Sequence, residues 1–598
     1  MTPTGRILAA ALLLASPLAA QHTRTMFPAV RGTVEMVGAA NNFEVEAGYR
    51  LLEQGGNAVD AGVAAVLAAT VTEQSRFGLG GEMPLLIKMR GKKVRLISGV
   101  GVAPTGATVE FYRNRKPEPW EKAGRHAPIP SAGIRAAATP GVFDGLLVAL
   151  TKYGTKSFAE VAAPAIDYAK NGFPLPEEFA SFLARDQQIL SLWPVSYKFY
   201  FPRGRVPRRG DVARYKNLAR TLESLVKAER RAKGNRGKKL QAVRDLFYRG
   251  KIAQKIAAFC AANGGLITAA DMAGFEATIE RPVRGEYRGY TVYKPGFWSQ
   301  GPVLIEALNI LEGYDLRAMG HNSADYLHTL VEAMKLAMAD RDRYYGDPAK
   351  AEVPAERLLS KEYAAERRRL IDPKRASTEH RPGTILPPLD LSSGVNPESV
   401  AGERQWVSDT TCVNVVDRKG NVFSATPSGA WLPSVIAGDT GIPLSTRLQS
   451  FVLTAGHANR IEPGKRPRIT LSPTIVTRGG KPFLAMSTPG GDNQDQAALQ
   501  VFLNITAFGM TPQEAVEAPR FQSYHLYGSF GAHVFTPAGL ALEDRVPAQV
   551  AKELERRGHR LSVRGPWSNS ASPTVIMITH EALHGGADPR RARFIFGR

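Results

Sequence analysis

Residues 408–429 read SDTTCVNVVDRKGNVFSATPSG, and the place where this stretch begins decides the fold. The apolar-rich run Cys412 to Val416 and the run Val422 to Ala425 flank Lys419-Gly420-Asn421, so the segment reads as two β-strands joined by a tight turn. The hairpin opens on Asp-Thr-Thr after Pro373 to Asp409, a stretch rich in Pro, Ser and Gly with no periodicity, expected to be a linker or a long mobile loop. A strand normally begins where another element has just ended; this one begins as though the chain itself began there. A cut between Asp409 and Thr410 supplies the reason. Thr410 would then carry both a hydroxyl and a free α-amino group, whose pKa of about 7.7 to 8.0 lets it act as base for its own hydroxyl near neutral pH. With 11 histidines and no G-x-S-x-G pattern, the chain offers no obvious alternative triad. Taken alone, Thr410-Thr411 is an ordinary β-branched strand start.

Working outward, the 598 residues are 43% hydrophobic and 22% charged, a globular composition with ample material for a large core. The N-terminus, MTPTGRILAAALLLASPLAAQ, has an early Arg6, an apolar run, Ser16-Pro17 and small residues at Ala19 and Ala20. That is a secretory signal pattern over residues 1–20, so a periplasmic or secreted protein without a stable membrane anchor is expected. Cys260 and Cys412 read as buried small hydrophobes. The net charge of +22 is concentrated in Lys227 to Lys251, read as a solvated helical extension with a basic loop. It lacks the interleaved aromatics of a single-strand binding surface, so no nucleic-acid partner is expected. No Cys/His ligand spacing and no phosphate loop point to a metal or organic cofactor.

Ala-rich GGNAVDAGVAAVLAATVTE places a helix within residues 36–70, and strands follow in FGLGGEMPLLIKM and KKVRLISGV. Thr268 is expected to cap a short helix carrying Asp271, GEYRGYTVYKP to form a strand pair, and residues 303–346 to be helical.

A set of segments in fixed order resembles the gamma-glutamyltranspeptidase family of N-terminal-nucleophile (Ntn) hydrolases: GGNAVDAGVAA, FGLGGEMPLLI, TPGVFDGL, KYGTKSF, NGGLIT, YRGYTVY, ALNILEGYDL, DRDRYYGDP, DTTCVNVVDRKGNV, GKRPRITLSPTIV, STPGGDNQDQ and EAVEAPRF. The resemblance runs from about residue 36 to the C-terminus. It implies an α+β fold, a four-layer αββα sandwich, and a precursor that cleaves itself before Thr410. The products would be a large subunit (21–409, ending in the linker 373–409) and a small subunit (410–598) that stay associated. It implies that Thr410 is the nucleophile and that Ser428 stands where the family has a second Thr hydrogen-bonded to the nucleophile. It also implies that Gly490 and Gly491 form the oxyanion hole. Physics agrees with the last role, since a Gly-Gly turn admits close approach and Asp492 or Asn493 could cap the helix that follows.

The glutamate-recognition residues depart from the family pattern. The carboxylate-clamping Arg falls at Val100, the Asp pair at Gln449 and Ser450, an Asn at Ala430, and a Ser-Ser pair at Ile469 and Thr470. Such charged contacts contribute roughly 2 to 5 kcal/mol in a desolvated site. Arg447, three positions before Ser450, is the expected anchor for an anionic group on the substrate, with Thr470, Asp492 and Asn493 also lining the site. The resemblance thus implies a glutathione-hydrolase-like enzyme that cleaves gamma-glutamyl or related acyl amides through an acyl-enzyme on Thr410, with water or an amine as acceptor. The alternatives are an acylase on non-glutamyl amides, closer to the acylase-like and oxamate-amidase-like members, and a non-catalytic binding homologue.

Overall fold

The computed structural model describes residues 25–121, 126–391 and 410–598. Residues 1–20, expected to form a leader, and Asp409 lie outside these residues. Two seven-stranded sheets stack face to face. In the first the order is Phe594–Gly597, Met36–Ala39, Val413–Val416, Val422–Ala425, Met83–Lys88, Arg95–Gly99, Thr278–Glu280. In the second it is Val30–Gly32, Leu583–Ala587, Thr574–Ile578, Lys481–Ser487, Thr474–Arg478, Tyr290–Lys294, Val283–Tyr287. The 408–429 stretch folds as the expected hairpin, with Val413 opposite Ala425 and Val416 opposite Val422. Its turn closes because Asp417 Oδ1 accepts from the amides of Lys419 and Asn421, while Gly420 takes the left-handed conformation at φ +74°.

The central strands are buried on both faces, and residue alternation decides which interior each side chain joins. Leu86, Val416 and Val422 point between the sheets, where they meet Ile475, Ala485 and Ile576. Their neighbours Leu85, Ile87, Val415 and Phe423 point outward, against helices Asn42–Glu53, Ala58–Thr72 and Val142–Tyr153. On the far side, Val476, Leu484 and Val575 pack against helices Pro302–Leu311, Ala324–Tyr344 and Gln494–Thr506. Three apolar interiors between four layers make the expected αββα sandwich. The helix Ala58–Thr72 is buried on every side, and Gly62 lets it approach the sheet: a Cβ there would lie 2.5 Å from the Phe423 ring. One polar clasp crosses between the sheets: Asn414 Nδ2 donates to Ser487 Oγ (2.9 Å) and Thr574 Oγ1 (2.8 Å), and its Oδ1 accepts from Ser424 (2.7 Å).

Three expectations are corrected. Residues 36–70 hold a strand and parts of two helices, because Gly55 and Gly56 end the first helix and Asn57 with Asp60 forms a capping box for the second. The basic run is not a solvated extension. Its helices Lys216–Arg231 and Arg236–Tyr248 bury Leu222, Leu225, Leu240 and Phe247 in the core, and Arg244 pairs with buried Asp144 (2.6 Å). The described part of the linker, 373–391, lacks helices and strands, yet it is pinned: Ala376 N–H donates to Arg557 C=O (2.7 Å) and Gly383 N–H to Asp340 Oδ1 (2.7 Å). Other expectations hold, among them Thr268 capping Ala269–Gly274 reciprocally with Asp271, and both cysteines buried and free. No helix among the described residues is long and apolar enough to cross a membrane.

Where the linker begins, buried His328 and His559 share a hydrogen bond (2.9 Å). His328 Nε2 meets the Asp372 carbonyl (2.7 Å), so Nε2 donates there, His328 Nδ1 accepts, and His559 donates. Glu332 lies close enough to complete a metal-ligand trio, but its carboxylate is already taken by Lys335 (2.6 Å) and Arg381 (3.2 Å). The group is therefore a neutral histidine pair beside a neutralised carboxylate. Burial, with the positive charges of Lys335 and Arg557 nearby, pushes His559 down to about 2. Below its ordinary value of 6.5, the unfolded chain takes up a proton that the folded protein refuses. Stability is therefore full above pH 6.5 and falls as pH drops through that value, by about 2 kcal/mol at pH 5 for this one group. A thermal melt series between pH 7 and 5 should show the decline, and His559→Gln should make it shallower. An unchanged slope in the variant would remove His559 as the cause.

Candidate active site

The first strand of the hairpin is entered through Thr410, which bridges to Ser428 at the far end of the second strand. Both residues are buried, at 3% and 0% exposure, and Thr410 Oγ1 lies 3.3 Å from Ser428 Oγ. Thr411 N–H donates to Pro427 C=O (3.0 Å) and its hydroxyl to Glu44 Oε2 (3.3 Å), fixing the entry from two sides. Glu44 is buried, and that burial, with Glu73 nearby, raises its carboxyl well above the usual range.

The Gly-rich run Gly78 to Gly81 runs beside this point, and its glycines answer to close packing. A Cβ on Gly80 would lie 2.1 Å from Pro443 O, and one on Gly81 2.2 Å from Ser428 O. Glu82, next in the chain, exchanges backbone hydrogen bonds with Ser428 in both directions, each 3.0 Å. Its carboxylate accepts from Arg447 Nε (2.5 Å) and from Ser445 Oγ (3.4 Å). Arg447 and Glu82 are each about 1% exposed, so the pair lies in the interior beside the Thr410–Ser428 hydroxyls. Burial lowers the Arg447 pKa, opposed by Glu82 and, more weakly, by Asp492. The guanidinium is flanked by Trp431, with Cζ 4.6 Å from a ring centroid, and by Phe530 at 5.5 Å.

Phe530 leads to the second half of the site. It sits under Gly491, whose Cβ would lie 3.2 Å from the ring. Gly490 and Gly491 form a turn at φ +125° and +56°, and neither amide donates to a partner among the described residues. Two open N–H groups are what a developing oxyanion requires. The expectation that Asp492 or Asn493 caps the helix Gln494–Thr506 is corrected. Asp492 accepts from Arg341 and Ser529, and Asn493 Nδ2 donates to Asn569 Oδ1 (2.7 Å), so neither turns back to the helix amides. Arg341, wholly buried, draws the Asp492 carboxylate away because it offers a charged partner. Thr470 is buried in the segment whose neighbour Ile469 pairs with the backbone of Trp298 (3.0 Å) and Gln300 (2.9 Å).

The chemistry-bearing residues expected from the sequence therefore fall on two neighbouring walls. Thr410, Ser428 and Arg447 form one, and Gly490, Gly491 and Asp492 the other, joined through Trp431 and Phe530. Sequence reasoning missed Glu82, Trp431, Phe530 and Arg341. Glu82 was legible as a lone charge between a Gly-rich turn and an apolar strand; the others carry no local signal.

The chain is 33% identical over 572 residues to the glutathione hydrolase-like YwrD proenzyme of Bacillus subtilis, covering 94% of this chain and 98% of that one. It is 34% identical to the acylase ACY 1 proenzyme of a Pseudomonas species, covering 96% and 94%. The crystal structure of a cephalosporin acylase from Bacillus halodurans superposes with a TM-score of 0.82 at 28% identity, covering 98% of this chain and 99% of that one. Residues 45–597 match gamma-glutamyltranspeptidase as a family, and with the αββα sandwich and the relatives' near-complete coverage the chain belongs to the gamma-glutamyltranspeptidase family.

Proposed function

We propose that this protein is a self-processing amidohydrolase that cuts acyl amides through an acyl-enzyme on Thr410. The observation that carries the reading is the buried pair of hydroxyls, Thr410 and Ser428, 3.3 Å apart at the first residue of a strand. In processing, Thr410 Oγ1 adds to the Asp409 carbonyl carbon and the C–N bond breaks, leaving an ester. That break already frees the Thr410 α-amino group; water then hydrolyses the ester, releasing the Asp409 carboxylate and restoring the Thr410 hydroxyl. In turnover, the amine takes the Thr410 hydroxyl proton as Oγ1 attacks the substrate carbonyl, and the Ser428 hydroxyl supports the alkoxide. The Gly490 and Gly491 amides meet the oxyanion, and the amine returns the proton to the leaving group. Water, or a second amine, then accepts the acyl group. The large and small fragments remain together as a heterodimer in a secreted or periplasmic protein.

The acylase reading is favoured over gamma-glutamyl hydrolysis by one observation. The positions that would clamp glutamate hold Val100, Gln449 and Ser450, and the Gln449 amide is spent on the carbonyls of Ser131 (2.8 Å) and Thr446 (3.1 Å). Sequencing the smaller fragment of purified protein should read Thr-Thr-Cys-Val-Asn. A single uncut chain after prolonged incubation at neutral pH would overturn the processing step.

A further inference from the structure

We infer that the Glu82–Arg447–Trp431 cluster is the acyl-recognition site, and that it selects an uncharged acyl group bearing a hydrogen-bond acceptor, such as a terminal carboxamide, over a carboxylate. The inference rests on the acyl-enzyme reading above and adds the substrate class to it.

Two buried donors in this cluster lack an acceptor among the described residues: Arg447 Nη1 and Trp431 Nε1. Each belongs to a residue about 1% exposed. Leaving such donors unsatisfied costs stability, so a fold that keeps two side by side, next to a nucleophile, has kept them for a ligand. They lie together, since the guanidinium carbon is 4.6 Å from a Trp431 ring centroid. They are also joined to the hydroxyl pair by short covalent and hydrogen-bonded paths. Trp431 is three residues beyond Ser428, and Glu82 pairs with Ser428 through its backbone. The Phe530 ring, edge-on to Trp431 at 5.8 Å, extends the wall to Gly491. The acyl group would therefore lie along Trp431 and Phe530, with its carbonyl between Thr410 and the glycine amides.

Charge decides what the far end of that group carries. An Arg facing an open site holds a carboxylate. This Arg is already neutralised by Glu82 at 2.5 Å, and the Asp492 carboxylate acts on it as well. A carboxylate brought to Arg447 Nη1 would add another negative charge to a buried cluster that has no surplus positive charge. A carbonyl or carboxamide oxygen takes both donors without that repulsion. The arrangement revises the expectation that Arg447 anchors an anionic group: the same side chain recognises the acyl group as a hydrogen-bond donor whose charge Glu82 already balances.

The test compares chromogenic anilides of one acyl length that end in a carboxamide, a carboxylate or a methyl group. Wild-type kcat/KM should be highest for the carboxamide, by about tenfold over each of the others, as expected for one hydrogen bond to a charged donor. Glu82→Gln frees the Arg447 charge and should move the carboxylate-to-carboxamide ratio by about tenfold or more toward carboxylate. Trp431→Phe keeps the ring but removes the Nε1 donor, and should narrow the carboxamide advantage over methyl. If Glu82→Gln fails to process, the Trp431→Phe ratio carries the test alone. A wild-type preference for carboxylate, or ratios unmoved in the variants, overturns this inference while leaving the Thr410 chemistry standing. Absence of any hydrolysis that Thr410→Ala abolishes removes both.

Discussion

Thr410→Ala should leave the precursor uncut and reduce amide hydrolysis by roughly 10⁴-fold or more, the scale seen when a covalent nucleophile is deleted. In the proposed mechanism one hydroxyl performs both the acyl shift that opens the chain and the attack on substrate that follows, so the two losses should come together. The rival is Cys412, two residues further into the hairpin. Its thiol is wholly buried, burial pushes its pKa up, and it lies 3.6 Å from the Thr574 hydroxyl within the sheet packing. Cys412→Ala should therefore process and turn over. Mass spectrometry of the purified variants, with a rate on one anilide, checks both statements. Activity kept in Thr410→Ala and lost in Cys412→Ala would move the nucleophile.

Gly490→Ala should lower kcat by about 10²- to 10³-fold, the range for loss of one oxyanion donor. Two causes act in the same direction. At φ +125° an L-residue is strained by roughly 1 to 3 kcal/mol. In addition, the new methyl would stand 3.0 Å from the Cα and the Cβ of Ala571, a backbone atom and a methyl fixed to it that cannot swing aside. The turn must shift, and both open amides shift with it. Gly491→Ala meets only the edge of Phe530 at 3.2 Å but also sits at positive φ, so a smaller loss is expected there. KM should change less than kcat, because the donors matter most as charge develops. A normal kcat in Gly490→Ala would take the oxyanion role away from this turn.

The central strands were legible because they are short apolar runs between strong turn signals, while the sandwich they build was implied by the family resemblance. Thr410, Ser428 and the Gly490–Gly491 turn could be singled out because each carries its signal locally or through the family motif. What escaped depends on contacts between distant segments. Glu82 and Arg447 are separated by 365 positions yet share one buried bond, and no periodicity announces such a pair. The capping role expected of Asp492 failed for the same reason. Local chemistry favours a cap, but Arg341, 151 positions earlier, outbids the helix amides for the carboxylate. The basic run misled because Lys and Arg mark exposed faces only on average. Here Phe247 and Tyr248, near its end, are wholly buried and hold the helix in the core.

The strand order within the sheets has a consequence for the life of the processed enzyme. In the first sheet, Val413–Val416 and Val422–Ala425 lie between Met36–Ala39 and Met83–Lys88, and Phe594–Gly597 closes the edge beyond Met36–Ala39. In the second, Thr474–Arg478 lies beside Tyr290–Lys294, and Leu583–Ala587 beside Val30–Gly32. Material from both sides of Thr410 is thus woven into each sheet, so the two fragments of the proposed cut would share no separable interface. To part, they would have to unravel both sheets, so their rate of separation is the rate of global unfolding. A chain cut before Thr410, as proposed, would therefore release no free subunits on dilution for exchange with another copy.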